Sequence, residues 1–405
     1  MNHKTVVILG AGVTGLSTAY HLARKGFTKV IVLDKGPAGD GSSSRAAGII
    51  TGLLWTETGV RARQISLQLF RDLSEELEGY RFQSVGALNL FEPQSWKERK
   101  KLLPLYDRCQ APYEILDAKE MRARWPDLYP REDFIGLFDP RGGYSEPQDY
   151  IPALAQKCRQ LGVEIREHQL VTDFSLQGER ITGVRTVLET IEADAVVSTI
   201  YSWTNMLLSR LGLQLPVKTV VHQRYITEPL LNPLAIPAVN ADPMGGYVRP
   251  AAGGRLLFGI ETAEREEQRV TRLEYHLSEL EQYPDPRYAP DRLKEEIRTG
   301  FSSFVPALGT VKWESDKVGL LTFSMDGEPI LGPVHDIPGL YVGLAFHSGG
   351  FAYNPVSGLL LAEFVADSHT SVNVMAFSPD RFNAAETAAY LAETVKQKDV
   401  ARRRH

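Results

Sequence analysis

Three glycines and one acid carry the clearest chemistry in this 405-residue chain: Gly10, Gly12 and Gly15 in GAGVTG, and Asp34 at the close of VIVLD. An apolar run precedes the glycines, so a strand over Thr5 to Leu9 must turn sharply into a helix. Gly10 permits the turn, Gly12 lets a pyrophosphate approach bare backbone, and Gly15 lets helix and strand pack closely. The helix start then offers unpaired N–H groups and the positive end of its dipole to phosphates. Asp34 follows Gly15 by 19 residues and ends a second apolar run, where a carboxylate accepts both hydroxyls of an adenosine ribose. The stretch reads as a dinucleotide site, and both FAD and NAD present the required ADP half.

Two further segments supply groups that suit a cofactor. Lys35 to Ser44, KGPAGDGSSS, leads into Arg45 and Gly48. Its backbone N–H groups and the hydroxyls of Ser43 and Ser44 suit phosphate or ribityl oxygens, and Arg45 adds a cation. Near the C-terminus, GLAFHSGG with Gly349, Gly350 and Phe351 forms a second glycine-rich turn before a helix, which aims a second dipole inward.

The elements that must position these groups follow from periodicity. Helical patterns run over residues 61–77, 96–108, 117–125 with an Asp117/Glu120 capping box, 147–161 ended by Gly162, 273–281 and 291–298. Strand patterns run over 85–91, 134–138, 142–144, 163–166 and 168–174, and residues 181–186 with 190–194 make a hairpin. Residues 195–200 are apolar without alternation, which places them as a buried strand beside the first. From Val217 to Gly319 the texture changes to alternating segments, 219–227, 246–249 and 255–260, an antiparallel sheet with one face toward a cavity.

The expected fold is α/β: a doubly wound Rossmann-like domain over 1–80, 145–216 and 320–385, with an interleaved antiparallel-sheet, α+β substrate domain over 81–144 and 217–319. Residues 386–405 form a C-terminal helix and tail.

Composition narrows the class. At 43% hydrophobic, 23% charged and a net charge of −5, the chain reads as globular and is a poor match to nucleic acid or an anionic membrane. Arg402, Arg403 and Arg404 read as a solvated tail. Two distant cysteines, Cys109 and Cys158, suggest a reducing compartment and neither a disulfide framework nor a metal site. The nucleotide strand begins near residue 5 and no run approaches a membrane span, so the expectation is a cytoplasmic protein.

Across nearly its whole length the chain resembles the D-amino acid oxidase superfamily of flavoproteins, in the sarcosine, glycine and dimethylglycine oxidase or dehydrogenase branch. The matching pieces are GAGVTGLSTAYHLARKG with VIVLD, SSSRAAG, GGYSEP, VVSTIYSW, VVHQRYITEP, and MDGEPILGP with PGLYVGLAFHSGGF. The resemblance implies FAD, with Gly10, Gly12, Gly15 and Asp34 on the ADP half and Val171 beside the adenine. It implies that Ser43, Ser44, Arg45, Gly48, Asp326, Gly349 and Gly350 surround the ribityl chain and ring system.

His222 and Tyr247 match the active-site histidine and tyrosine of dimethylglycine-oxidising members. A tyrosine hydroxyl holds a substrate carboxylate, and a neutral imidazole accepts a proton from a substrate ammonium. His347 falls in the glycine-rich turn over the flavin. Where covalent members attach flavin, Gly319 replaces the cysteine and Arg45 the histidine, so the FAD is expected to be non-covalent. Leu257 stands where monomeric sarcosine oxidases place an oxygen-activating lysine, which disfavours fast oxidase activity. Leu321 stands where D-specific enzymes place a carboxylate-binding arginine, a role Arg249 could take from the sheet.

The expected activity is oxidation of the C–N bond of a small amine or amino acid. The electron acceptor is oxygen, a quinone or a partner protein. The alternatives are a 2-hydroxy acid dehydrogenase on the same fold and a flavin-binding subunit of a larger enzyme.

Overall fold

A computed structural model describes residues 2–260, 267–282, 285, 289–366 and 369–394. Its first sheet has six strands in the order Ile330–Pro333, Leu340–Leu344, Ala195–Ser198, Asn2–Leu9, Phe27–Leu33 and Glu164–Arg166. Every pairing is parallel except that of Ile330–Pro333 with its neighbour. The strand read from apolar continuity at 195–200 lies beside the first, in register Val6 to Ala195.

Helix Val13–Arg24 follows the first strand, and helix Gly350–Ala366 packs across it. At their crossing a Cβ on Gly358 would stand 2.4 Å from the Ser17 carbonyl carbon, so only glycine allows this approach. Both helices therefore start at the same end of the sheet, above the carboxyl ends of the parallel strands, where ligands of doubly wound folds bind.

The second sheet has eight strands: Trp313–Ser324, Val217–Thr227, Arg255–Ile260, Gly246–Ala251, Ala238–Ala241, Ala87–Phe91, Ile135–Asp139 and Glu114–Leu116. It is antiparallel apart from the Ala238–Ala241/Ala87–Phe91 pair. Helix Pro290–Phe301 covers its outer face through Leu293, Ile297 and Phe301, and Phe301 meets Phe258 edge-on at 5.5 Å. The opposite face looks toward the nucleotide-binding sheet. With both faces covered, the alternation expected for one-sided exposure is largely absent: Arg255–Ile260 is buried at every position after the first.

Several boundaries move, each for a local reason. The helix expected over 96–108 is two, Pro93–Lys100 and Leu103–Arg108, because Pro104 has no N–H to carry the ladder across the break. The strand expected from His168 begins at Val171, and His168 turns with φ +59°. The helix expected over 273–281 shrinks to a 3-10 segment, Leu277–Gln282. Lys35 takes the carbonyls of Leu273 and Tyr275, which a helix would have used internally. The Arg402 to Arg404 tail lies outside the described residues.

His21, on the first helix, is sealed in this core at 8% exposure with no partner for its Nε2. Burial pushes its pKa down to about 4, against the opposing hydrogen bond with the Pro355 backbone and the Glu76 carboxylate, with Arg24 and Lys25 adding to the depression. A depressed base is neutral when folded and takes up a proton on unfolding, so its contribution is intact above the ordinary value of 6.5 and is lost as pH falls toward 4. That difference amounts to about 3 kcal/mol. Denaturant unfolding at pH 7 and pH 4 should show His21→Leu losing about that much less stability than wild type. Equal losses would contradict this assignment.

Candidate active site

One cleft of about 1740 Å³, open mouth included, runs from the first glycine turn to the second sheet. At one end stand Gly10, Gly12, Asp34 and Val171; at the other stand His222, Tyr247, Gly319, Leu321 and His347. Gly10 has φ +96°, a left-handed conformation that a side chain disfavours. Gly15 sits behind the turn, where a Cβ would lie 1.9 Å from the Gly10 carbonyl oxygen. Gly12 caps the helix with no side-chain hydrogen bond, and among the described residues Ser43 Oγ, 3.0 Å from Val13 N, is the side-chain acceptor at the helix start. Backbone donors thus remain beside bare Cα atoms, the arrangement a pyrophosphate requires.

Asp34 accepts from Ala11 N at 2.7 Å and Gly36 N at 2.9 Å. Burial nonetheless pushes its carboxyl above the usual aspartate range; those N–H groups only partly offset it. Ribose hydroxyls donate to the ionised carboxylate, so FAD affinity should be full near neutral pH. It should fall as pH drops through the raised pKa, earlier than for an ordinary aspartate. Asp34→Ala should weaken binding by about 1.5–3 kcal/mol at neutral pH and remove that pH dependence. Fluorescence titration of apoprotein with FAD measures both, and unchanged affinity would remove Asp34 from the site.

The far end is built by the second sheet. His222 Nε2 and Tyr247 Oη lie 2.8 Å apart, with rings 5.7 Å between centroids. Tyr247 lies over Gly259 so closely that a Cβ there would come within 2.0 Å of its ring, so Gly259 makes the groove in which the tyrosine rests. Leu257, two residues back, is wholly buried and packs with Tyr247 and Ala251. Gly319 faces Arg45, and a Cβ on this glycine would stand 3.2 Å from the arginine Cβ. Neither cysteine of the chain lines the cleft.

His347 lines the cleft with φ +56°, and its ring stands edge-on to Phe323 at 4.9 Å. Tyr201 and Ala345 nearby also have positive φ, so strained backbone concentrates around this second turn. Gly350 and Phe351 line the cleft, as do Ser43, Arg45 and Gly48.

Other expected residues sit differently. Arg249 is wholly buried and bidentate to Glu146, at 2.9 Å for both contacts, so its charge is already matched and it does not reach the cleft as a carboxylate anchor. Asp326 is drawn away to Arg381 at 2.8 Å and is not in the cleft wall. Ser44 contributes its carbonyl to Arg224, and Gly349 backs onto Arg63. Lys35 lines the cleft, yet its ammonium is engaged by the 273–275 carbonyls and lies 3.8 Å from the centre of the Trp203 ring; burial pushes its pKa down to about 8. Through Lys35, the segment bearing Leu273, His276 and Leu277 is drawn over the cleft, and no local sequence signal marked it. Asn240, paired with Asn89 at 2.8 Å, is another cleft residue the sequence did not flag.

A doubly wound sheet whose glycine turn and strand-end acid open onto a cleft closed by an antiparallel sheet defines a nucleotide-dependent oxidoreductase architecture. The chain belongs to the DAO family, FAD dependent oxidoreductase, whose model matches residues 5–364. It is 29% identical over 389 residues to sarcosine oxidase subunit beta of Arthrobacter sp, covering 93% of this chain and 90% of that one. It is 25% identical to mitochondrial dimethylglycine dehydrogenase of Rattus norvegicus, covering 95% of this chain and 45% of that one, so it spans about half the length of that relative. The solved L-proline dehydrogenase from P. horikoshii superposes with a TM-score of 0.84 at 25% identity, covering 94% of this chain and 98% of that one. The protein is therefore an FAD-dependent oxidoreductase, and Asp34, the open helix start and the two glycine turns fit that cofactor. No helix among the described residues is long and apolar enough to cross a membrane.

Proposed function

We propose that this enzyme oxidises the C–N bond of a small amine or amino acid of the sarcosine, glycine, dimethylglycine or proline type, using non-covalent FAD. The observation that carries the reading is the His222–Tyr247 pair at the opposite end of one cleft from Asp34. Relatives named for sarcosine, dimethylglycine and proline support the substrate class.

Bound FAD supplies the two-electron acceptor, and the chain's residues bind the substrate and move its proton. The 2.8 Å contact couples their roles. A Tyr247 hydroxyl that donates to a substrate carboxylate must accept from His222 Nε2–H, which leaves Nδ1 as the imidazole atom able to accept a proton. A hydroxyl that donates to Nε2 instead leaves only its oxygen lone pairs for the substrate ammonium. The first arrangement suits an amino acid, because it holds the carboxylate and removes the ammonium proton together. Proton loss exposes the amine lone pair; the C–H hydride would then pass to bound FAD, and the imine so formed would be hydrolysed by water.

Anaerobic mixing with a panel of amino and hydroxy acids, followed by flavin absorbance, tests the reading. Bleaching by a small amino acid supports it; bleaching only by a 2-hydroxy acid would replace it. A relative named as a subunit favours one second reading, in which no substrate bleaches the flavin until a partner chain is added. With a buried Leu257 packed against Tyr247 in place of an oxygen-activating lysine, reoxidation by air should be slower than by a dye or quinone.

A further inference from the structure

Three guanidinium groups grip a single loop beside the cleft. Arg45 donates to the carbonyls of Asp40 and Gly41, Arg224 Nη2 to that of Ser44 at 2.9 Å, and Arg249 Nε to that of Ala47 at 2.5 Å. All three are buried. Arg45 has Asp40 and Glu281 as acidic partners, and Arg249 has Glu146. Arg224 makes no ion pair among the described residues, and its Nε has no hydrogen-bond partner. Burial, then the charge of Arg249 and less so that of Arg45, push its pKa down to about 10 against the opposing pull of Tyr247 and Glu146, so it stays a cation at neutral pH.

Register places this cation close to the proposed reacting end. Arg224 and His222 are two apart on one strand and so share a face. Across the sheet, Gly259 is the register partner of both Arg224 and Tyr247. A buried charge with no ion pair among the described residues is costly, and it becomes useful where negative charge arrives.

We propose that Arg224 is a positioning residue that raises the electron affinity of the bound flavin by holding a positive charge, unpaired among the described residues, behind the His222–Tyr247 end of the cleft. This rests on the reading that the redox end of FAD lies there. Charge near the flavin ring nitrogens is one of the protein's means of tuning its electronics.

Sulfite affinity reports this without turnover. Its lone pair adds to the oxidised flavin ring and brings negative charge with it, and no oxidant is consumed. FAD-loaded Arg224→Met should bind sulfite about tenfold more weakly, equivalent to a midpoint potential about 30 mV lower for a two-electron couple. Arg224→Lys should stay within about threefold of wild type, since charge and not the grip on Ser44 is decisive. Glu281→Gln, which removes an acid facing Arg45, should tighten sulfite binding. Unchanged affinity in Arg224→Met and Glu281→Gln would overturn the proposal, as would equal losses in the Met and Lys variants. Wild-type protein that holds no flavin would be a separate failure, of the reading beneath it.

Discussion

Gly12→Val is expected to fold and to purify colourless. Gly12 has φ −74° and ψ 176°, a conformation any residue adopts, and a Cβ there meets only the flexible Ser43 hydroxyl at 3.0 Å. The backbone therefore tolerates the substitution. What valine fills is the space in which a pyrophosphate meets the start of helix Val13–Arg24, so FAD occupancy should fall to near zero while the circular dichroism spectrum stays that of wild type. Gly15→Val serves as the contrast. Its Cβ would collide with the Gly10 carbonyl, so it should lose the fold as well as the cofactor. Normal flavin content in folded Gly12→Val would mean the phosphates bind elsewhere.

His222→Ala should keep FAD and lose rate. The histidine lines the cleft from strand Val217–Thr227 of the second sheet, whereas the glycine turn and Asp34 belong to the first, so its removal should leave the nucleotide end intact. Loss of a positioned proton acceptor slows a reaction by about 10²–10⁴-fold, and anaerobic flavin reduction by a working substrate should fall by that much. Tyr247→Phe should chiefly weaken substrate binding, by about 1.5–3 kcal/mol for a hydrogen bond to a charged group. Because the two side chains touch, the double variant should lose less than the sum of the single losses. Wild-type reduction rates in His222→Ala would move the proton acceptor elsewhere in the cleft, with His347 the next to test.

Legibility from sequence followed the range of each interaction. The nucleotide half was readable because its glycines, apolar strand and terminal acid fall within 30 residues, and each has a local steric or hydrogen-bonding reason. The buried strand at 195–198 was readable from apolar continuity alone. Arg249 and Asp326 misled because a charged residue in a cofactor-like context carries no mark of a distant partner. Glu146 lies 103 residues from Arg249, and Arg381 lies 55 from Asp326. The 273–281 segment failed for a related reason: its apolar spacing is helical, and Lys35, 238 residues from Leu273, takes its carbonyls. Arg224 went unnoticed because nothing local marks an arginine whose neighbours are two other arginines remote in sequence, Arg45 on a loop and Arg249 on strand Gly246–Ala251.

The decisive measurement is an experimental structure of the purified yellow protein with FAD bound. The expected density has ribose hydroxyls within hydrogen-bond distance of Asp34, pyrophosphate at the start of helix Val13–Arg24, and the ring system facing His222 and Tyr247. A ring system at the Asp34 end, or one turned away from the His222–Tyr247 wall, would contradict it.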